Sequence, residues 1–180
     1  MRNNVFALVM ILCAPVISEA LQAADRTDGV TRLALPSGVV VEIVEAAFAD
    51  ATFKVVGCKG EGGPCLINGL VPFGSDYGIP RTYVKSIKTT YGGRSHLLDV
   101  SGMYNAWGKR PLEYKGTIRY FGGSCSDRDN CHFRGLFSDG AGAFVAEWHV
   151  VDGMASRTVL TDSSDIIELF RRNIDPPDFE

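Results

Sequence analysis

Five cysteines, three histidines and scattered carboxylates are the residues of this chain with chemistry to offer. Cys58 and Cys65 bound one short loop, and Cys125 and Cys131 bound another. Cys13 falls in the N-terminal apolar run, and in an exported chain the remaining even set of four reads as disulfides. Oxidation competes with zinc, and no Cys-x-x-Cys spacing is present, so a zinc centre is not expected. Oxidised cysteines also leave no thiolate for Cys–His nucleophilic catalysis.

His96 and His149 fall on predicted strands, where a lone histidine is usually a face residue. His132 directly follows Cys131, which fixes its place and makes it a candidate contact residue. Glu113, Glu147 and Asp99 could meet in space as a hydrolytic carboxylate pair, but no spacing singles them out. Ser126-Asp127-Arg128-Asp129-Asn130 gathers oxygen ligands. A calcium loop wants more ligands at alternating positions and a bidentate Glu, and Arg128 sits in the middle of this one. There is no Gly-x-Ser-x-Gly elbow, His-Glu-x-x-His pair, phosphate-cradling loop or dinucleotide fingerprint. The expectation is therefore no catalytic residues, no metal and no cofactor.

The cysteine loops carry the sharper expectation. Lys59, Gly60, Glu61, Gly62, Gly63 and Pro64 offer little side chain to bury. Closed by a disulfide, they would form a preorganised projection with a reduced entropic cost of binding. They are the first candidate partner contacts. Asp127, Arg128, Asp129, Asn130 and His132 in the second loop follow. Tyr104 and Trp107 are further candidates, because exposed aromatics serve as binding hot spots or sugar platforms.

The elements that must position these residues are predominantly β. Thr31–Leu35 and Val39–Val44 flank Pro36-Ser37-Gly38 and predict a leading hairpin. A strand through Phe53–Val56 leads into the first cysteine loop, and 70–80 reads as a crossing loop. Tyr83–Tyr91 and Ser95–Val100 flank Gly92-Gly93. Phe133–Phe137, Ala143–Val151 and Ser156–Thr161 are joined by Asp139-Gly140 and Asp152-Gly153, strong hairpin dipeptides because both residues tolerate positive φ. Residues 101–111 read as an aromatic linker. Near the end, Asp162-Ser163-Ser164-Asp165 offers helix-capping residues. An apolar stripe of Ile166, Ile167, Leu169, Phe170 and Ile174 then predicts a helix over about 163–173, stopped by Pro176-Pro177.

A repeat organises this list. Residues 51–102 and 116–164 share an order: Thr52-Phe53-Lys54 or Thr117-Ile118-Arg119, a cysteine pair, Gly-Leu, Ser-Asp, an aromatic-Val strand start and a hairpin glycine. Shared turn chemistry explains the glycines but not the whole order, which favours a duplication. Four cysteines allow three pairings. The repeat selects Cys58–Cys65 and Cys125–Cys131. The expected fold is mainly β, with antiparallel hairpins in two tandem pseudo-repeats and one C-terminal α-helix docked on the sheet.

Residues 1–23 read as a cleaved signal peptide. Arg2 precedes an uncharged apolar run, Val5–Val16, and small residues follow at Ser18, Ala20 and Ala23. The run is too short to span a bilayer core of ~30 Å. Residues 24–180 then form one β-rich domain, periplasmic or secreted. The formal charge is −3, and cleavage would remove one charge of each sign. No basic cluster points to nucleic acid, and no amphipathic segment to a membrane surface. The favoured expectation is a binding protein that neutralises a hydrolase, including an immunity protein against an envelope-degrading toxin. A carbohydrate-binding or envelope-assembly module is the alternative, and a secreted hydrolase the next.

Overall fold

The computed structural model describes residues 29–58, 65–76, 78–107, 118–138 and 140–175. The expected signal peptide, Lys59–Pro64, Glu113 and the terminal prolines lie outside the described residues.

Among the described residues, ten strands fall into three antiparallel groups. The first sheet contains β1 (Gly29–Ala34), β2 (Val40–Ala47), β5 (Thr82–Tyr91) and β6 (Arg94–Leu98), in that order across the sheet. The second is an uninterrupted meander of β7 (Phe121–Asp127), β8 (Asn130–Phe137), β9 (Phe144–Val151) and β10 (Met154–Thr161). Between β2 and β5 the chain leaves the first sheet and forms a separate two-stranded ribbon, β3 (Val55–Gly57) with β4 (Cys65–Ile67).

Alternating side chains explain why the two large sheets stack. Leu33, Val41, Ile43, Ile87 and Leu98 point inward from the first sheet. Phe121, Phe133, Phe144, Trp148 and Val150 meet them from the second, in one shared core. Trp148 is fully buried, and its indole N–H donates to the Asp99 carbonyl at 2.8 Å. Burial of so large a side chain needs that partner for its one polar atom. Arg157 fastens the same corner: it donates to the Ser101 carbonyl at 2.6 Å and pairs with the Asp99 carboxylate at 3.1 Å.

The helix α1 (Ser164–Arg172) covers the outer face of the second sheet. Ile167 and Phe170 bury against Leu136, Ala143 and Val145. Ser163 stands at the N-cap, but its side chain makes no capping hydrogen bond, contrary to the sequence expectation. Asp165 in the first turn and Arg171 and Arg172 in the last do complement the helix dipole.

The tandem repeat is not confirmed. The order of hairpins is shared, but the first copy is divided between the ribbon and the first sheet, whereas the second copy is one sheet. The sheet that resembles β7–β10 in layout is β1-β2-β5-β6, with the ribbon inserted at its midpoint. Residues 118–120, near the expected start of the second copy, form a 3-10 turn before β7. The aromatic linker is also drawn inward. Met103 bridges Phe73, and Tyr104 bridges Tyr83.

Candidate functional site

Both expected disulfides are formed, Cys58–Cys65 and Cys125–Cys131. Each ties together a cross-strand pair or its immediate neighbour at the loop end of a hairpin. Their surroundings differ.

The first disulfide seats the ribbon on a small core of its own. Cys58, Cys65, Ile67 and Tyr104 are buried there, with Phe48, Phe53 and Tyr83 packed around them. Phe48 and Phe53 stack at 4.5 Å, and the edges of Tyr83 and Tyr104 meet Phe53 at 5.1 and 6.3 Å. Such pairs contribute about 0.5–1.5 kcal/mol each beyond simple burial. The ribbon is closed by Asn68, whose side-chain oxygen accepts from the Lys54 N–H at 2.8 Å. The return loop is anchored at Gly74, where φ is +88° and a Cβ would lie 2.0 Å from the Tyr104 carbonyl oxygen, so only glycine fits. Around this rigid base, Val56, Leu70, Val71 and Ile79 are each about half exposed. Beside them opens a cleft of about 210 Å³. Phe53, Leu70, Tyr83, Met103 and Tyr104 contribute its apolar walls, and Asn68 and Ser101 its polar ones.

The second disulfide lies inside the larger fold. The turn after it is held by its own side chains and by the first sheet. Asp127 Oδ1 accepts from the Asp129 N–H at 2.7 Å, and Asn130 Nδ2 donates to the same carboxylate. These bonds, the Asn130 amide first, hold the Asp127 carboxyl below its usual value. Arg94 of the first sheet pairs with Asp129 at 2.8 Å. His96 Nε2 lies 2.8 Å from the Arg128 carbonyl oxygen, which can only accept, so that nitrogen carries the proton. Asp152 and Gly153 donate to Asn130 and to the Asp129 carbonyl. Asp129 and Asn130 are therefore engaged internally. Arg128 projects, with its side chain about two-thirds exposed.

Tyr104 is buried, and its burial raises the phenol above its usual value. Trp107 is half-buried, with its ring 5.2 Å from Tyr120 and its buried Nε1 unpartnered among the described residues. Its backbone N–H donates to the buried carboxylate of Glu45 at 3.1 Å, and Thr82 Oγ1 donates to the same group at 2.9 Å. These two aromatics do not form an exposed shelf.

His132 belongs to a grouping that the sequence alone did not reveal. On the outer face of the second sheet, Ser124, His132, His149 and Ser156 stand in one row across four strands. The two imidazoles stack at 3.9 Å. In the next row Arg134 faces Glu147 and forms an ion pair with it. Glu147 Oε1 also lies 3.2 Å from His149 Nε2. Arg134 carries the connection to α1: its Nη1 donates to the Asn173 carbonyl at 3.0 Å, and its guanidinium lies 4.9 Å over the Phe170 ring. Burial, then the neighbouring His149, hold His132 below its ordinary 6.5, against an opposing pull from Glu147.

Among the described residues no group of three or more His, Cys, Asp and Glu side chains could hold a metal ion. No helix among them is long and apolar enough to cross a membrane. The class defined by the fold is a mainly β, disulfide-bonded protein of two stacked antiparallel sheets with a C-terminal helix. Comparison with protein-family models, characterised proteins and solved structures finds no match.

Proposed function

We propose that this chain is an exported binding protein that neutralises a hydrolase, with the β3–β4 ribbon and the loop leaving it as the contacting surface. One observation carries the reading: the ribbon belongs to neither sheet, yet a disulfide and an aromatic cluster hold it rigidly, with half-exposed apolar side chains around it. A fold that needed the ribbon only to complete its main core would have paired it with a sheet. A preorganised apolar surface binds with less loss of conformational entropy. The disulfides suit an oxidising compartment. The net charge of −3 favours encounter with a basic enzyme.

The glycan-binding alternative depends on Tyr104 and Trp107 as an open platform, and neither side chain is displayed that way. The test is capture of a partner from envelope extracts on the oxidised chain, followed by titration of the captured enzyme's activity. Inhibition saturating at one chain per enzyme is expected, with the Leu70→Asp/Val71→Asp double variant losing at least tenfold in potency. Undiminished enzyme activity at stoichiometric excess, or retention on peptidoglycan alone, overturns the reading.

A further inference from the structure

We propose that Asn68-Gly69 is a self-modification site: the folded chain expels ammonia there through a cyclic imide, becomes chiefly isoaspartate, and so unlocks the β3–β4 ribbon. It is the one Asn-Gly pair in the sequence. The pair forms the two-residue turn after β4, with φ of +54° and +82°, and Ile67 and Leu70 exchange backbone hydrogen bonds across it at 2.9 and 3.1 Å. Both residues are exposed, and a Cβ at Gly69 would meet nothing within 4 Å. Water and base therefore reach the turn, and glycine puts no side chain beside the attacking nitrogen. Among the described residues neither the Gly69 N–H nor the Asn68 Nδ2 has a hydrogen-bond partner. The nucleophile and the leaving group are thus both free. Asn68 Oδ1, where negative charge develops on attack, accepts from the Lys54 N–H at 2.8 Å. The other described asparagines lack this combination. Asn105 Nδ2 donates to the Gly74 carbonyl at 2.9 Å, and the buried Ala106 follows it. Asn130 Nδ2 donates to the Asp127 carboxylate, and the disulfide-bonded Cys131 follows it. Asn173 Nδ2 donates to the Leu169 carbonyl at 3.5 Å, and the β-branched Ile174 follows it.

The chemistry balances with water as the sole co-reactant. A base takes the Gly69 N–H proton, and that nitrogen bonds to Asn68 Cγ. The Cγ–Nδ2 bond breaks, and Nδ2 leaves as ammonia with a proton from solvent. Water then opens the imide. Cleavage at Cγ gives aspartate, and cleavage at the backbone carbonyl gives isoaspartate. Either product adds a negative charge to the rim of a cleft whose lining holds no charged side chain. Isoaspartate also adds a methylene to the backbone path, so Ile67 and Leu70 no longer face each other across a two-residue turn. The turn is tied to the entry of β3 by the Asn68 N–H bond to the Lys54 carbonyl at 2.8 Å and by the Lys54 N–H bond to Oδ1. Both depend on the unmodified Asn68 geometry. The consequence for partner binding rests on the ribbon being the contacting surface; the modification itself does not.

The test is to age the full oxidised chain in its folded state at 37 °C and pH 8.5, then map its peptides by mass spectrometry with fragmentation that separates isoaspartate from aspartate. Conversion at Asn68 is expected at least tenfold faster than at Asn105, Asn130 or Asn173, with isoaspartate the major product and a slower rate at pH 6. In the converted fraction, amide exchange across 55–67 should rise at least tenfold while β2 and β9 keep their protection. Asn68→Gln should abolish both changes. Should that variant not fold, the site-by-site rates within the wild-type chain decide. Conversion no faster than at the other three asparagines, conversion only once urea unfolds the chain, aspartate without isoaspartate, or a ribbon that stays protected after conversion would each overturn the proposal. None of these readouts needs a partner, so they stand or fall apart from the inhibitor reading.

Discussion

The two cysteine hairpins start from nearly the same local instructions and end in different roles. Cys125–Cys131 staples the first hairpin of a four-stranded sheet, and its turn is pinned by Arg94 and His96 from the opposite sheet. Cys58–Cys65 staples a ribbon that joins no sheet and rests on four aromatic rings. A disulfide restricts the unfolded chain in the same way wherever a loop of that length is closed. What it does for the folded protein depends on what the loop is packed against. The polar tip of the second loop is already engaged by internal bonds. The ribbon keeps apolar surface in water, which gives it something to bind with.

The sharpest break of this comparison sets the shared core against the ribbon core. Trp148→Ala should cost about 3–5 kcal/mol, because a fully buried indole and its bond to Asp99 are lost together. Phe53→Ala, at a half-buried ring, should cost less and free the ribbon while the sheets stay folded. Urea unfolding monitored by near-UV circular dichroism separates the two, and equal global losses would mean the ribbon is part of the main cooperative unit.

Replacing the cysteine pairs is next in size. By the chain-entropy relation each short loop contributes about 2–3 kcal/mol. Cys125→Ala/Cys131→Ala should lower the global unfolding midpoint by that amount. Cys58→Ala/Cys65→Ala should instead raise exchange in 55–67 and weaken partner binding, with a smaller shift in the midpoint. If both pairs lower stability equally and binding survives, the ribbon is only a staple.

Arg157→Ala tests the corner where the sheets meet. It removes the hydrogen bond to the Ser101 carbonyl and the ion pair with Asp99 from a largely buried guanidinium, for an expected loss of about 1–3 kcal/mol. The opposing forces on Asp99 are visible in its titration: burial pushes its carboxyl upward, but the Ser101 bonds and Arg157 outweigh it and hold it low. In Arg157→Ala the carboxyl should titrate higher by NMR.

The smallest effect is pH-dependent. His132 is held below its ordinary 6.5 in the folded state, so the unfolded chain binds that proton more readily. Its contribution is fully present above 6.5 and is lost as pH falls from there towards the folded value. The loss should stay under about 1.4 kcal/mol for each unit by which the two values differ. Thermal melts between pH 7.5 and 5 should show it, and His132→Gln should remove it.

Much of this architecture was legible in the residues. Asp152-Gly153 and Gly92-Gly93 both adopt the positive φ that a tight hairpin demands. The stripe of Ile167 and Phe170 buries as its spacing requires. The shared order of the two segments selected the cysteine pairings that form, although the duplication itself is not confirmed. The His132–His149 row was not legible, and the reason is register. A two-residue turn at Asp139-Gly140 would set His132 opposite Glu147. The longer connection between Phe137 and Phe144 moves the pairing by two residues, so histidine meets histidine and Arg134 takes the carboxylate.

Local chemistry determined most of the strands, the turns and the helix, since each follows from φ preferences or alternation, and the shared order of the two segments picked out both disulfides. Only the tertiary structure decided that β5 leaves β4 to pair with β2, that Tyr104 is buried, and that two distant histidines stack. Those outcomes depend on which apolar faces find each other across the chain, a competition among non-local contacts that no short stretch of sequence resolves.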